Sequence, residues 1–211
     1  MTVATPANVP AAEQPAAPAQ TVPQIGRASA WWVLIGGFIG LVASLTLTYE
    51  KFRLLENPTY RPSCSINPVL SCGSVIATPQ ASAFGFPNPF IGIVAFTVVV
   101  VTGVLALAGV ALPRWYWVSL AAGTALGAGF VHWLIFTSLY TIGALCPYCM
   151  VVWSVTVPLA VVLASIALRP LAGNAGARIL YTWRWSLVAL WFTAVILLIL
   201  VRFWDYWSTL I

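Results

Sequence analysis

The chain has 211 residues, of which 61% are hydrophobic and only 6% are charged, and its formal net charge is +5. Roughly a quarter of the residues in ordinary globular proteins are charged, so this composition excludes a typical water-soluble domain and indicates a membrane protein. A mean hydropathy of +0.96 agrees. The nine Lys and Arg residues are scattered at the ends of apolar segments, which argues against a nucleic-acid-binding surface.

The first 28 residues are rich in Ala and Pro and contain few large apolar side chains. Such a segment buries too little surface to offset the entropy cost of ordering it. We therefore expect residues 1–28 to form a disordered tail. A cleaved signal peptide is not expected, because the start carries no positive charge and the first apolar run comes late and is long.

Five segments are long and apolar enough to cross a hydrocarbon core about 30 Å thick. They are residues 31–49, 87–112, 115–140, 145–168 and 179–204. The predicted fold is an all-α integral membrane protein, in which a four-helix transmembrane bundle is joined by a fifth transmembrane helix and capped by a loop. The fifth segment contains two arginines, and both lie near its ends, where their side chains can reach the interfaces.

Two glycine pairs have the spacing of close helix contacts. Gly36 and Gly40 in the first span, and Gly123 and Gly127 in the third, are each four residues apart and fall on one helical face. Small residues there would let neighbouring backbones approach closely. Glycine is common in membrane helices in any case. The interpretation that these glycines form helix contacts and the interpretation that their spacing is a coincidence therefore carry about equal weight.

Two cysteines lie in the polar loop 50–86 between the first two spans. Cys64 and Cys72 are eight positions apart, and the prolines and glycines around them prevent a continuous helix. Four apolar residues are expected to form a short turn that caps the bundle and leaves the cysteines mobile: Val69, Leu70, Val75 and Ile76. The alternative is a static disulfide that only staples the loop.

The run Cys146-Pro-Tyr-Cys149 opens the fourth span. Two cysteines three positions apart at a helix start can form a disulfide, and the helix N-terminus stabilises the thiolate formed on reduction. A thioredoxin-like soluble motif is excluded, because no alternating strand pattern surrounds the run. Two inert cysteines remain possible, and so does a zinc site that all four cysteines share. The only histidine, His132, is expected to be a hydrogen-bonded packing residue rather than a proton donor, although a functional role stays open.

The number of crossings places the two cysteine pairs on one side of the membrane. Cys64 and Cys72 follow the first span, and Cys146 and Cys149 follow the third. Lys and Arg are slightly more numerous on the opposite side, which predicts a cytoplasmic amino terminus and extracytoplasmic cysteines. Disulfides persist in exported compartments and are rare in the cytosol, which favours the same orientation.

This ordered set of motifs resembles the vitamin K epoxide reductase family, in its bacterial disulfide-forming branch. The resemblance rests on Cys64 and Cys72, on Cys146-Pro-Tyr-Cys149 and on the Gly-Phe-Pro-Asn-Pro-Phe-Ile-Gly stretch at 85–92, and it covers about residues 30–168. The disulfide-bond formation protein B family has the opposite order of its cysteine pairs. Fused members of the family continue into a thioredoxin-like domain, whereas this chain ends at Ile211, so we expect a separate partner.

The resemblance implies a domain organisation and a location. Residues 29–168 would be the four-helix catalytic core, and residues 169–211 would be a cytoplasmic linker followed by the fifth transmembrane helix. The protein would lie in the inner (cytoplasmic) membrane. The tail 1–28 would be cytoplasmic and the loop 50–86 extracytoplasmic.

The resemblance also implies roles for individual residues. Cys64 would exchange with a thioredoxin-fold (DsbA-like) extracytoplasmic protein, Cys72 would pass the electrons to Cys146, and Cys149 would face a membrane quinone, either menaquinone or ubiquinone. Asn88 would donate a hydrogen bond to a quinone carbonyl, and Trp153 would line the quinone pocket. Phe84 and Phe90 would help to close that pocket, although ordinary packing explains each of them equally well.

The implied function is a thiol oxidoreductase that supports disulfide formation in exported proteins. Two alternatives remain. A quinone or quinone-epoxide reductase would use the same cysteines, with thiols serving only as fuel. A non-enzymatic membrane scaffold would hold a structural disulfide or metal.

Overall fold

The computed structural model describes residues 25–169 and 174–209. Residues 1–24 of the expected tail lie outside this range. The helices are α1 (Arg27–Glu56), α2 (Cys72–Ile76), α3 (Pro89–Leu107), α4 (Arg114–Phe136), α5 (Pro147–Ala167), α6 (Ala175–Arg202) and α7 (Trp204–Trp207). Within the described residues, α1, α3, α4 with its continuation, α5 and α6 are long and apolar enough to span a membrane. The predicted all-α membrane fold is confirmed.

Helix α1 is longer than the apolar span that predicted it. It begins at Arg27, which shortens the expected tail by two residues, and it continues seven residues beyond the predicted end at Tyr49. Hydropathy marks only the apolar part of a helix, whereas the backbone hydrogen bonds continue through the charged turns that follow. The helix ends at Glu56, and its C-cap residue Asn57 has the extended conformation (φ −137°) that suits a residue before a proline.

The four core helices pack as a bundle in which α1 lies between α3 and α5, and α4 packs on the other side of α5. The first predicted glycine pair lies at these contacts. Gly36 faces Leu159 of α5, and Gly40 lies against the ring of Phe96 in α3, so that neither position has room for a further carbon without displacement. The packing interpretation of this pair is confirmed.

The second glycine pair does not bring two helices together. A Cβ atom at Gly123 would meet nothing within 4 Å, and one at Gly127 would meet only Thr156, at 3.9 Å. The packing interpretation is wrong for this pair. The reason is that α3 and α4 lie apart at this level, so the glycines of α4 face the space between the helices.

Helix α4 does not end at its last α-helical residue. It continues as a π-helical turn over Thr137–Ile142 and stops at Gly143, whose left-handed conformation (φ +70°) glycine adopts without strain. Residues 144–146 are not helical, and α5 begins at Pro147. Proline suits this first position because its missing N–H is not needed there. The Cys146-Pro-Tyr-Cys149 run therefore opens α5 as predicted.

The fifth long helix, α6, lies outside the four-helix bundle against α5. Trp191 of α6 donates a hydrogen bond from its indole Nε1 to His132 Nε2 of α4 at 2.9 Å. His132 Nδ1 in turn donates to the Ala128 carbonyl at 2.7 Å. The prediction that His132 is a hydrogen-bonded packing residue is confirmed. At the end of α6, Arg202 Nε donates to the Leu139 carbonyl of the π-helical turn at 2.9 Å. These bonds attach α6 to α4 at two levels.

Candidate active site

The loop after α1 holds Cys64 and Cys72 together as a disulfide, with 5.5 Å between their Cα atoms. Cys72 opens the short helix α2, whose N-cap residue Ser71 accepts a hydrogen bond from the Ser74 N–H. Cys64 is 6% exposed and Cys72 is fully buried. The sequence predicted mobile cysteines in this loop, whereas the structure buries both.

Backbone pairing explains this burial. The Ser71 N–H donates to the Leu145 carbonyl at 2.8 Å, and the Leu145 N–H donates to the Val69 carbonyl at 2.7 Å. The Asn67 side chain accepts from the N–H groups of Val69 and Leu70 and thereby shapes the turn before this pairing. The loop is thus fixed beside the segment that leads into Cys146. The buried side chains of Val69, Val75 and Ile76 confirm the predicted apolar cap.

Three cysteine sulfurs converge under this cap. Cys72 Sγ lies 3.0 Å from Cys146 Sγ. The Sγ atoms of Cys64, Cys72 and Cys146 all lie within 4.8 Å of one another. This confirms that both cysteine pairs lie on the same side of the bundle. Thiol–disulfide exchange proceeds by attack of a thiolate on a disulfide sulfur, and the Cys72 and Cys146 sulfurs are close enough for it.

A shared zinc site would need the same sulfurs as thiolates. In the state seen here, Cys64 and Cys72 form a disulfide with each other, so neither offers a thiolate to a metal. The arrangement has the chemistry of disulfide exchange instead.

Cys146 has the environment of a reactive thiol. Its pKa is lowered from the ordinary value chiefly by a hydrogen bond from the Cys149 side chain, and further by the backbone N–H groups of Cys149 and Tyr148 at the start of α5. Burial of Cys146 and the negative charge of Glu50 oppose this lowering without cancelling it. A thiol with a lowered pKa is both a better leaving group and more often a thiolate.

A cavity of about 560 Å³ extends from Cys149 along α3, α4 and α5. Its lining is almost entirely apolar and includes the two glycines of α4, and it reaches Trp115 near the opposite end of that helix. A few polar groups lie at the cysteine end, among them Asn88, Thr137 and Ser138. Sites for flat apolar ligands have this character, in which a few polar groups orient the ligand in an apolar cleft.

The structure brings Cys149, Asn88 and Trp153 to the lining of this cavity. Asn88 also organises the loop before α3: its Nδ2 donates to the Gln80 carbonyl at 2.7 Å, and its Oδ1 accepts from the Ala83 N–H at 3.0 Å. One N–H of the Asn88 amide remains beyond these bonds. The amide can therefore hold the loop and donate to a ligand at once.

The other two predicted pocket residues lie outside the cavity lining. Phe84 is 60% exposed and packs against Phe130, with 5.5 Å between ring centroids. Phe130 does line the cavity. Phe90 packs on Phe52 of α1 at a centroid distance of 6.0 Å. The two aromatics therefore have packing contacts, and Phe84 reaches the cavity only through its neighbour.

Sequence reasoning missed one residue of the site. Glu50 is only 3% exposed, and its Oε1 accepts a hydrogen bond of 2.8 Å from the hydroxyl of Ser63, the residue before Cys64. An acidic residue directly after an apolar span was the available signal. The sequence alone places Glu50 at the start of the polar loop 50–86, because nothing local indicates that this loop folds back over it.

The fold and the sulfur cluster define a multi-pass membrane protein of the thiol–disulfide oxidoreductase class. Residues 31–164 match the model of the Vitamin K epoxide reductase family, which is more than half of the chain. The chain therefore belongs to the vitamin K epoxide reductase family and is a redox enzyme. A search of curated proteins finds no match to this chain. Helix α6 lies beyond the matched residues.

Proposed function

We propose that this protein reoxidises a thioredoxin-fold extracytoplasmic protein and passes the electrons to a membrane quinone, so that disulfides form in exported proteins. The observation that carries the proposal is the 3.0 Å separation of Cys72 Sγ and Cys146 Sγ. This contact joins the loop disulfide to a cysteine pair whose second member lines the apolar cavity.

The electron path follows as a series of exchanges. A thiolate of the reduced partner attacks Cys64, forms a mixed disulfide and releases Cys72 as a thiolate. Cys72 attacks Cys146 of the Cys146–Cys149 disulfide and releases Cys149. The second partner thiol then frees Cys64, which attacks Cys72 and restores the loop disulfide. The partner leaves with a disulfide, and two electrons remain on Cys146 and Cys149.

The cavity supports a quinone as the acceptor of these two electrons. Family members generally use quinones, and the cavity joins an apolar volume to Cys149 and to the spare N–H of Asn88. Reduction of the quinone takes up two electrons and two protons and restores the Cys146–Cys149 disulfide. Menaquinone and ubiquinone both have the required flat ring with two carbonyls.

We further propose a cytoplasmic amino terminus and extracytoplasmic cysteines in the inner membrane. Five of the nine Lys and Arg residues lie on the side opposite the cysteine cluster, as the positive-inside rule requires. The protein's core would be residues 29–168, with the linker and α6 as an addition to it.

Purified full-length protein with a reduced thioredoxin-fold partner and a menaquinone or ubiquinone analogue tests the function. We expect partner disulfide and quinol to form in a ratio of one to one. A quinone-epoxide reductase that uses thiols only as fuel would instead turn over the epoxide. In that case, cells that lack this protein would keep the disulfides of their exported proteins. Four cysteines that never change state when quinone is added would contradict the relay.

Asn88→Asp tests the place of the quinone. The aspartate keeps an acceptor for the Ala83 N–H but loses both amide donors, the one that binds the Gln80 carbonyl and the spare one for a quinone carbonyl. We therefore expect the KM for quinone to rise about tenfold, or roughly 1.4 kcal/mol. The rate at which a thiol reduces the loop disulfide serves as the control for loop distortion. An unchanged KM would remove Asn88 from the quinone site.

A further inference from the structure

Glu50 is a buried carboxylate beside the loop disulfide, and the relay described above does not use it. Its side chain lies at the end of α1 and is 3% exposed. Oε1 accepts from the Ser63 hydroxyl at 2.8 Å, whereas Oε2 is buried and has no hydrogen-bond partner among the described residues. Burying a carboxylate with an unsatisfied oxygen costs stability, and such groups cluster at functional sites.

The cations near Glu50 are engaged elsewhere. Lys51 Nζ donates to the Ile76 carbonyl at 2.7 Å, at the end of α2. The Arg53 guanidinium lies 5.1 Å from the centroid of the Tyr60 ring. Within residues 25–169 and 174–209, neither cation forms an ion pair with Glu50. Its charge is therefore not neutralised by a partner, as it would be in a structural salt bridge.

Two titratable groups on neighbouring elements sense this carboxylate. The Tyr60 hydroxyl lies close to the Glu50 carboxylate, although the two do not have the geometry of a full hydrogen bond. The nearby Glu50 side chain is the main cause that raises the pKa of Tyr60. The charge of Glu50 also reaches Cys146 at the start of α5, where it opposes thiolate formation. Glu50 thus lies within electrostatic reach of the sulfur cluster.

Ser63 connects Glu50 to the protein surface next to Cys64. Its side chain is exposed, it directly precedes Cys64, and its hydroxyl donates to Glu50. A hydroxyl can donate one hydrogen bond while it accepts another. Ser63 can therefore accept the proton of an incoming thiol as it gives its own proton to the carboxylate.

We propose that Glu50, acting through Ser63, is the proton acceptor for attack on the Cys64–Cys72 disulfide. The incoming thiol loses its proton to Ser63, and Ser63 passes a proton to Glu50. The new bond forms between the thiol sulfur and Cys64, and the bond between Cys64 and Cys72 breaks. Cys72 leaves with the electron pair and receives the proton back from Glu50 whenever it does not attack Cys146.

Two small thiols of different acidity distinguish this role from a structural one. 2-Mercaptoethanol is protonated at pH 7 and needs a proton acceptor, whereas thiophenol is largely ionised and does not. Reduction of the loop disulfide is followed by alkylation and mass spectrometry in the full chain carrying Cys146→Ser and Cys149→Ser. In this background only the loop disulfide reacts, so the outcome does not depend on the quinone or on the proposed relay.

Glu50→Gln is the main variant, because it keeps the shape and removes the proton acceptor. We expect it to slow reduction by 2-mercaptoethanol roughly a hundredfold, the size of a general-base contribution, and to change the rate with thiophenol less than twofold. Glu50→Asp should restore part of the loss. Glu56→Gln removes an exposed acid farther along α1 and should change neither rate.

Two results would overturn the proposal. Equal slowing with both thiols would mean that Glu50 only holds the loop in place, and an unchanged rate with 2-mercaptoethanol would mean that it takes no proton. Ser63→Ala provides a second test if Glu50→Gln does not fold. Ser63→Ala should slow reduction of the loop disulfide by 2-mercaptoethanol and leave reduction by thiophenol nearly unchanged. If the substitution changes both rates by the same factor, proton transfer through Ser63 is contradicted.

Discussion

Cys72 and Cys146 are 74 positions apart in the sequence, and their sulfur atoms lie 3.0 Å apart under the cap of the loop. The paired backbones of Val69, Ser71 and Leu145 hold them there. This contact connects the loop disulfide to the pair at the start of α5. The order in which the four cysteines exchange electrons can therefore be tested by experiment.

The order of exchange can be tested at the loop. Cys72→Ala leaves Cys64 as a lone thiol, which forms a mixed disulfide with an oxidised partner that Cys72 can no longer resolve. We expect a partner with a single active-site cysteine, supplied as its mixed disulfide with thionitrobenzoate, to accumulate on Cys64 as thionitrobenzoate leaves, in a gel-shifted species that reductant removes. Cys64→Ala is the matched control and should trap little of the partner. Accumulation of the partner on Cys146 would reverse the assigned order.

The ionisation of Cys146 provides a test by pH. Because the hydrogen bond from Cys149 is the main cause of its lowered pKa, the Cys146 thiolate should form at a lower pH than the ordinary cysteine value of about 8.5. Removing the donor by Cys149→Ala should move this titration to higher pH, whereas Cys149→Ser keeps a donor and should move it less. Thiolate absorbance measures all three in a background that carries Cys64→Ser and Cys72→Ser, so that Cys146 has no loop disulfide to attack. Identical titrations in the two variants would exclude the hydrogen bond as the cause.

The two glycine pairs predict opposite responses to the same substitution. At Gly40 an added methyl group meets the Phe96 ring, and overpacking of this kind costs about 1–3 kcal/mol. At Gly123 the methyl group enters open space. We therefore expect Gly40→Ala to lower the Tm in detergent and Gly123→Ala to leave it nearly unchanged. Equal shifts of Tm would contradict the helix contacts described here.

The attachment of α6 depends on a hydrogen bond between side chains. Trp191→Phe keeps an aromatic ring but loses the bond to His132, which should cost about 0.6 kcal/mol and at most about 1.7. Trp183→Phe is the control, because that side chain is exposed on the same helix. Thermal unfolding of both variants measures the difference. If the Trp183 variant is destabilised as much, His132 does not anchor α6.

Local patterns in the sequence were sufficient for much of the fold. Apolar runs located the five spans, their number placed both cysteine pairs on one side, and the proline at position 147 indicated the start of α5. Each of these depends on neighbouring residues along the chain. The ordered cysteine motifs then indicated the family, and the match over residues 31–164 confirms it.

The features that were missed depend on contacts between distant segments. The loop cysteines are buried because Leu145 pairs with a strand-like piece 75 positions earlier, Leu70, and no pattern around Cys64 encodes that partner. Gly123 has the same spacing to Gly127 as Gly36 has to Gly40, but only the arrangement of the helices decides which pair has a neighbour. The burial of Glu50 has the same origin in the folded-back loop.

The central claim is that electrons pass between Cys72 and Cys146, and the Cys149→Ser variant tests it most directly. Without Cys149, the Cys146 thiolate can attack Cys72 in the loop disulfide, which forms a Cys72–Cys146 disulfide and releases Cys64 as a free thiol. Peptide mapping of the purified variant by mass spectrometry should find the Cys72 and Cys146 peptides cross-linked and Cys64 open to alkylation. A cross-link between Cys64 and Cys146, or an unchanged Cys64–Cys72 disulfide beside a free Cys146, would contradict the relay.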